Sequence, residues 1–271
     1  RIIYSQERNG PMITSSNSCK IQESFKQQAK GFETKAMSFT KKEYLEYIVS
    51  CIRPKETDTV LEVASGTCAC GRSLAPFVQN VTCLDMTTSM LAVGKDKAEK
   101  QGLCNITFVQ GDAEKLPFSD NSFDIVISRL AFHHFINPHR CFAEMTRVLS
   151  HDGILVLIDM EAAEDALRAI EDEIETMRDL SHVRNLSKSE FYKLFRDNNL
   201  TVCTSDYTEI PVSLSARLAL TDTSDCAASN ITKRLENEIN GGEKTGFNPY
   251  RTNGDIYFKQ RWIMIIGKKE K

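Results

Sequence analysis

Apolar positions in residues 58–160 fall into short runs separated by amphipathic stretches. Val60-Leu61-Glu62-Val63, Val81-Thr82-Cys83-Leu84, residues 105–110 and Phe123-Asp124-Ile125-Val126-Ile127 carry little polar alternation. Such runs are strands covered on both faces. The predicted order is strand 58–64, helix 70–79, strand 81–85, helix 88–101, strand 105–110, strand 122–128, helix 138–149 and strand 154–160, with a turn at His151-Asp152-Gly153. Strands alternating with helices pair in parallel through right-handed crossovers, so the fold class is α/β with helices on both faces of the sheet.

The flanks read differently. Residues 1–20 are polar and aperiodic, and the chain starts at Arg1 with Met12 further on, so 1–20 are expected to lie outside the fold. Phe25, Ala29 and Phe32 recur at helical spacing. Thr40 followed by Glu43 reads as a capping box opening a helix with Tyr44, Leu45, Tyr47 and Ile48 inward, closing before Pro54. Residues 21–54 are thus expected to form a helical cap and 55–210 the core. Past 160, an acidic helix (161–180), a helix starting at Ser187-Lys188-Ser189-Glu190 and a strand (200–210) are expected. Residues 211–254 would be a lid of two helices and a glycine-rich loop, and 255–271 the last core strand.

Composition narrows the class. A chain of 271 residues, 41% hydrophobic and 26% charged, can bury a sizeable core. The net charge is −3 with acids and bases interspersed, and no basic stripe follows a nucleic-acid backbone. No apolar run is long enough for a membrane span. The nine cysteines show no zinc-site spacing, so no metal is expected and a reduced, cytoplasmic setting is. A homodimer is left open.

The chemistry lies at strand ends. Residues 64–71 read Ala-Ser-Gly-Thr-Cys-Ala-Cys-Gly, and only Gly66 sits at a position of the three-glycine dinucleotide fingerprint. A pyrophosphate is therefore poorly supported, and with it a nicotinamide dehydrogenase. Glu62 can orient an ammonium group, or the segment is an ordinary strand-to-helix turn. Asp85, ending the second strand, can accept from both ribose hydroxyls or cap the next helix near Thr87. Met86 and Met90 can flank an adenine or fill core. Asp112 can accept from an exocyclic amine while the Ala113 amide donates to a ring nitrogen. The Arg129-to-Phe135 segment follows the fourth strand, where ligands of this architecture sit. His133 or His134 can there take a proton from a nucleophile, or pack through a ring hydrogen bond.

Taken together, VLEVASGT, LDMTTSML, GDAEKLPFSDNSFDIVIS, AFHHF and FAEMTRVLSHDGILVLID resemble class I S-adenosylmethionine-dependent methyltransferases, in particular the small-molecule group similar to the ubiquinone/menaquinone-biosynthesis enzymes. The motifs cover 58–160 in order. The resemblance implies a Rossmann-like, mostly parallel seven-stranded sheet whose last strand, 255–267, is antiparallel. It implies S-adenosyl-L-methionine as cofactor, its methionine end at Glu62, Ala64, Ser65 and Gly66, its ribose at Asp85, its adenine at Asp112 and Ala113, with Met86, Met90 and Arg129 around it. Ala64 and Cys68 stand where the family usually has glycine, and the N-terminal segment lacks the signature of the quinone enzymes. The expected activity is methyl transfer to a small molecule, with His134 or His133 as base and Phe25, Phe32, Phe247 and Tyr250 at the acceptor. A fold of this kind that no longer transfers methyl, and a nucleoside-binding regulator, are the alternatives.

Overall fold

The computed structural model describes residues 2–4, 16–29 and 41–270. The strands are β1 (Ile2–Tyr4), β2 (Thr59–Val63), β3 (Asn80–Asp85), β4 (Ile106–Gln110), β5 (Phe123–Arg129), β6 (Leu149–Met160), β7 (Leu200–Ser213), β8 (Tyr250–Thr252) and β9 (Asp255–Lys269). The helices are α1 (Ser16–Gln28), α2 (Lys42–Ile52), α3 (Ala69–Leu74), α4 (Thr88–Lys100), α5 (Pro138–Val148), α6 (Asp165–Arg178), α7 (Lys188–Asp197), α8 (Leu214–Leu220) and α9 (Asp225–Ile239).

One sheet carries the strands in the order β1-β4-β3-β2-β5-β6-β9-β7, with β8 on β9. Pairs from β1 to β6 are parallel. β9 runs antiparallel between β6 and β7. The seven strands from β4 to β7 are the expected core, and β1 and β8 are short additions. The strand order reverses between β2 and β5, which opens a crevice beyond their carboxyl ends.

Alternate residues of each strand feed two cores. Leu61, Val63 and Val126 pack with Phe142 and Phe195 on one face. Val60, Ile125 and Ile127 pack with Leu74 and Leu91 on the other. Fully burying such a side chain contributes roughly 1.5–3 kcal/mol. The continuous apolar runs exist because both faces are covered.

Three expectations change. Residues 2–4 are not outside the fold: Ile2 pairs with Phe108 and Tyr4 with Gln110, adding an edge strand. An apolar triplet too short to show a period suffices to extend an existing edge. His151-Asp152-Gly153 does not separate two elements, because β6 runs through it. The irregularity is absorbed by a register shift opposite Phe123–Ile125 and by Asp152 at φ 63°. On α2, Tyr47 is exposed and Ile48 and Ile52 are buried. Thr40 and Phe32 lie outside the described residues. The Ser187 helix start is present as a full capping box, Ser187 accepting from the Glu190 amide and the Glu190 carboxylate from the Ser187 amide. Among the described residues no helix is long and apolar enough to cross a membrane.

Candidate active site

A cavity of about 380 Å³ occupies the crevice. The ends of β2, β3 and β5, the loop after β4 and the helix α1 enclose it. Glu62, Ala64, Ser65, Gly66, Asp85, Met86, Met90, Asp112, Ala113 and Arg129 all line it. So do Phe25 and His134, and Ile21, which the sequence reading passed over. The volume falls in the range of cofactor and small-ligand pockets.

The turn after β2 keeps a glycine-like backbone at three positions, only one of which is glycine. Ala64, Gly66 and Cys68 sit at φ 51°, 52° and 59°. A Cβ in that region costs roughly 1–2 kcal/mol. The turn is held instead by hydrogen bonds. The Asp85 carboxylate accepts from the Gly66 amide at 2.7 Å and from the Thr87 amide at 2.7 Å. Asp85 thus holds the turn and lines the cavity, while α4 starts after its N-cap Thr87 with no side-chain cap. Burial raises its pKa against those two amides. Glu62 accepts from the Gly71 amide at 2.7 Å. A Cβ at Gly71 would stand 2.8 Å from that carboxylate oxygen, so the approach needs glycine. Burial raises Glu62 to about 7, opposed by the Gly71 amide and by Arg129 and Arg72. The ligand atoms of Glu62, Cys68 and Cys83 also lie within 4.8 Å of one another, a grouping invisible in chain spacing.

Met90 is buried at the floor and Met86 half-buried above it. Ala113 is buried and Asp112 exposed at the rim, its carboxylate accepting from the Glu114 amide at 2.8 Å. The helix α1 closes the mouth. The Gln22 side chain donates to the Met86 carbonyl at 3.2 Å, and Phe25 meets His134 edge-on at 5.0 Å.

The two histidines are not equivalent. His133 Nδ1 lies 2.6 Å from Asp159 Oδ1. That carboxylate also accepts from the Ala131, Phe132 and Met160 amides. Burial alone would raise Asp159, but His133 and those amides outweigh it and hold the acid below its ordinary range. An ionised Asp159 fixes the Nδ1–H tautomer and leaves the His133 Nε2 lone pair free. His134 Nδ1 faces the Ser181 carbonyl at 3.0 Å, an acceptor, so it too carries its proton on Nδ1. Burial, with His133 close by, lowers His134 to about 3. Asp159 is the penultimate residue of β6, and no sequence spacing marks its pairing with His133.

A second chamber of about 100 Å³ adjoins the first and shares Phe25, Leu130 and His134 with it. His133, Met160, Ile210, Val212, Arg217 and Trp262 also line it. Arg129 joins the two, its guanidinium carbon 5.1 Å from the centre of the Trp262 ring. The segment 211–254 contributes Val212, Ser213, Ala216, Arg217 and Leu220, but not its aromatic loop. Phe247 and Tyr250 line neither cavity. Phe247 is buried with Ile174, Leu235 and Phe258, its ring 4.9 Å from that of Phe258. Tyr250 pairs with Tyr257 across the β8–β9 hairpin. Composition marks an aromatic loop; it does not separate a lid from a plug that seals a small core.

Comparison with known proteins agrees with this geometry. The methyltransferase domain family matches residues 61–157. The uncharacterized methyltransferase YcgJ of Bacillus subtilis (strain 168) is 30% identical over 233 residues, 85% of this chain and 92% of that protein. Its crystal structure superposes with a TM-score of 0.77, covering 84% of this chain and 99% of that one. The protein YafE of Escherichia coli (strain K12) is 36% identical over 73% of this chain and 96% of its own length. The ubiquinone/menaquinone biosynthesis C-methyltransferase UbiE of Stutzerimonas stutzeri (strain A1501) is 38% identical, over 37% of this chain and 41% of that protein.

Proposed function

We propose that this chain, which belongs to the methyltransferase family, binds S-adenosyl-L-methionine in the larger cavity and transfers its methyl group to a small molecule by in-line displacement. One observation carries the reading. Residues singled out independently as ammonium, ribose and adenine contacts line a single cavity at the switch point of the sheet. The donor set suits the group. Glu62 meets a cationic ammonium, Asp85 two hydroxyls, and the Asp112–Ala113 corner a base edge, with apolar Met90 and Leu84 between.

When bound, the cofactor supplies an electrophilic methyl and a neutral thioether leaving group. The protein's work is alignment and exclusion of water. Phe25 and Ile21 on α1 cover the cavity. His133, oriented by Asp159 through Nδ1, lines the second chamber and is placed to take a proton from an acceptor there. Isothermal calorimetry with S-adenosylhomocysteine, followed by a methyl-transfer assay on a metabolite pool, tests the reading. Absence of binding would refute it, and binding without turnover would favour a regulator on the same fold.

A further inference from the structure

One cluster of ligating side chains has no part in the second chamber and touches the larger cavity only through Glu62. Glu62 and Cys83 are partners in register on the parallel strands β2 and β3, so their side chains leave the sheet on the same face. Cys83 Sγ stands 3.7 Å from Glu62 Oε2. Cys68 joins them from the turn, where its amide donates to the Ser65 carbonyl at 2.7 Å and its backbone takes φ 59°. The ligand atoms of the three residues lie within 4.8 Å of one another, and none of the three is more than 3% exposed. Gly71 leaves room for them, since a Cβ there would stand 2.7 Å from Cys83 Sγ.

Two sulfurs and a carboxylate oxygen are the donors of a borderline-soft cation. A zinc ion with sulfur at about 2.3 Å and oxygen at about 2.1 Å in tetrahedral geometry sets those two atoms roughly 3.6 Å apart, close to the 3.7 Å between Cys83 Sγ and Glu62 Oε2. Ser65 Oγ, 3.4 Å from Cys68 Sγ, offers a further oxygen. The surroundings are otherwise apolar, with Val60, Leu74, Val81 and Leu91 in the same core. Cys68 and Cys83 belong to no paired-cysteine motif, so the expectation of no metal followed from spacing alone, whereas strand register and the turn bring them together. Burial holds both thiols above their ordinary range, hence protonated. A coordinated thiol gives up its proton outright, so an ion exchanges those protons for sulfur bonds. Two thiolates and a carboxylate exceed a divalent charge by one, and Arg129 and Arg72, whose charges already act on Glu62, offset the remainder.

We infer that Glu62, Cys68 and Cys83 form a binding site for a thiophilic divalent cation of the zinc class, and that this ion and the cofactor are antagonists, because both draw on Glu62. The antagonism rests on the cofactor reading above; the cation site does not. Glu62 lines the larger cavity and also faces the two sulfurs, so it gives an ion a way in from the cavity. An ion held by the sulfurs takes up the carboxylate charge that an ammonium group would otherwise meet.

Cadmium is the probe, because cadmium–thiolate bonds give an ultraviolet charge-transfer band, and zinc should erase that band by displacement. The full chain is titrated as it is and in a form carrying Cys19→Ser, Cys51→Ser, Cys104→Ser, Cys203→Ser and Cys226→Ser, which removes thiols outside the cluster. Thermal unfolding checks the fold of every form. Cadmium should give a saturable band, and Cys68→Ala and Cys83→Ala should each weaken its binding by about tenfold or more. Cys70→Ala, which removes a buried thiol outside the set, should leave it within about twofold. Should an alanine form fail to fold, Glu62→Gln, which keeps the side chain's shape, carries the same expectation as Cys83→Ala. Calorimetry at saturating cadmium should show S-adenosylhomocysteine affinity lower by about fivefold or more, and Cys83→Ala should be spared that loss. No saturable band, a band undiminished in Cys83→Ala or Glu62→Gln, or one lost equally in Cys70→Ala overturns the cation site and leaves the cofactor reading standing. A band with unchanged S-adenosylhomocysteine affinity overturns the antagonism. If S-adenosylhomocysteine does not bind the ion-free protein, the cofactor reading falls and the antagonism with it, while the band still decides the cation site.

Discussion

His133 and Asp159 form a sealed pair, Nδ1 to Oδ1 at 2.6 Å, in which both side chains are under a tenth exposed. The pair lies between the two cavities' shared wall and the end of β6. A buried carboxylate that holds an imidazole through Nδ1 fixes the orientation of the ring. His133→Gln should lower turnover by about two orders of magnitude with S-adenosylhomocysteine affinity unchanged. Asp159→Asn should lose activity and also stability, because Asp159 accepts from three backbone amides besides His133. Single-turnover rates within a few-fold of the wild type for His133→Gln would make the pair purely structural, with alignment carrying the rate.

His134 should behave otherwise. With a pKa of about 3, against 6.5 for an ordinary histidine, it stays neutral through the physiological range and is a weak base. The native state therefore resists a proton that the unfolded chain accepts. The stability linked to this site is fully present above about pH 6.5 and is lost as pH falls toward 3, by up to about 1.4 kcal/mol per pH unit. His134→Gln has no such proton to refuse. Thermal unfolding from pH 7 to pH 4 should show the wild type losing ground to His134→Gln as acid increases. Parallel curves would mean that the ring titrates normally in the fold. Turnover of His134→Gln should stay within about tenfold of the wild type.

If the larger cavity takes the cofactor as proposed, Glu62 should give its binding a pH dependence. Burial lifts it to about 7, so it is largely protonated below that pH and ionised above. An ammonium ligand prefers the ionised form. S-adenosylhomocysteine affinity should therefore rise between about pH 6 and pH 8, by up to about tenfold, and Glu62→Gln should bind weakly with that slope removed. A slope of equal size in Glu62→Gln would assign it to another group.

The legible parts of this molecule were the local ones. Strands β2 to β6 declared themselves because each is a continuous apolar run, and Asp85 and Asp112 because each sits within a residue or two of a strand end. What could not be read is what distant segments bring together. His133 and Asp159 are 26 positions apart, and Arg217 reaches Glu175 across 42. Trp262 arrives at the chamber because β9 threads between β6 and β7. The second chamber is therefore assembled from segments with no common motif. The larger cavity follows one crevice.

Asp85→Ala probes the ribose contact. The substitution removes a carboxylate from the cavity and strips the Gly66 and Thr87 amides of their acceptor. Charge-assisted hydrogen bonds contribute roughly 1.5–3 kcal/mol. A loss of about tenfold or more in S-adenosylhomocysteine affinity is expected, together with lower stability as the turn loosens. Asp85→Asn keeps one of the two acceptor oxygens that hold the turn and removes the charge, so its stability loss should be the smaller of the two while its affinity loss stays close to that of Asp85→Ala. Calorimetry returning wild-type affinity for Asp85→Ala would overturn the ribose assignment.

The turn itself offers the last test. Ala64 takes φ 51° at a position where the resemblance implies glycine, and it does so at the lining of the larger cavity. The left-handed conformation costs an alanine roughly 1–2 kcal/mol in the fold, while glycine costs somewhat more entropy on folding, roughly 0.5–1 kcal/mol. The strain is the larger of the two, so Ala64→Gly should stabilise the protein, by up to about 1 kcal/mol. The methyl group also occupies space beside the cavity that glycine would vacate, so cofactor affinity should hold or rise. Chemical denaturation with and without S-adenosylhomocysteine measures both. A destabilised Ala64→Gly would mean that the alanine methyl makes packing contacts outweighing its backbone strain, and the departure from glycine here would then be an adaptation of the turn.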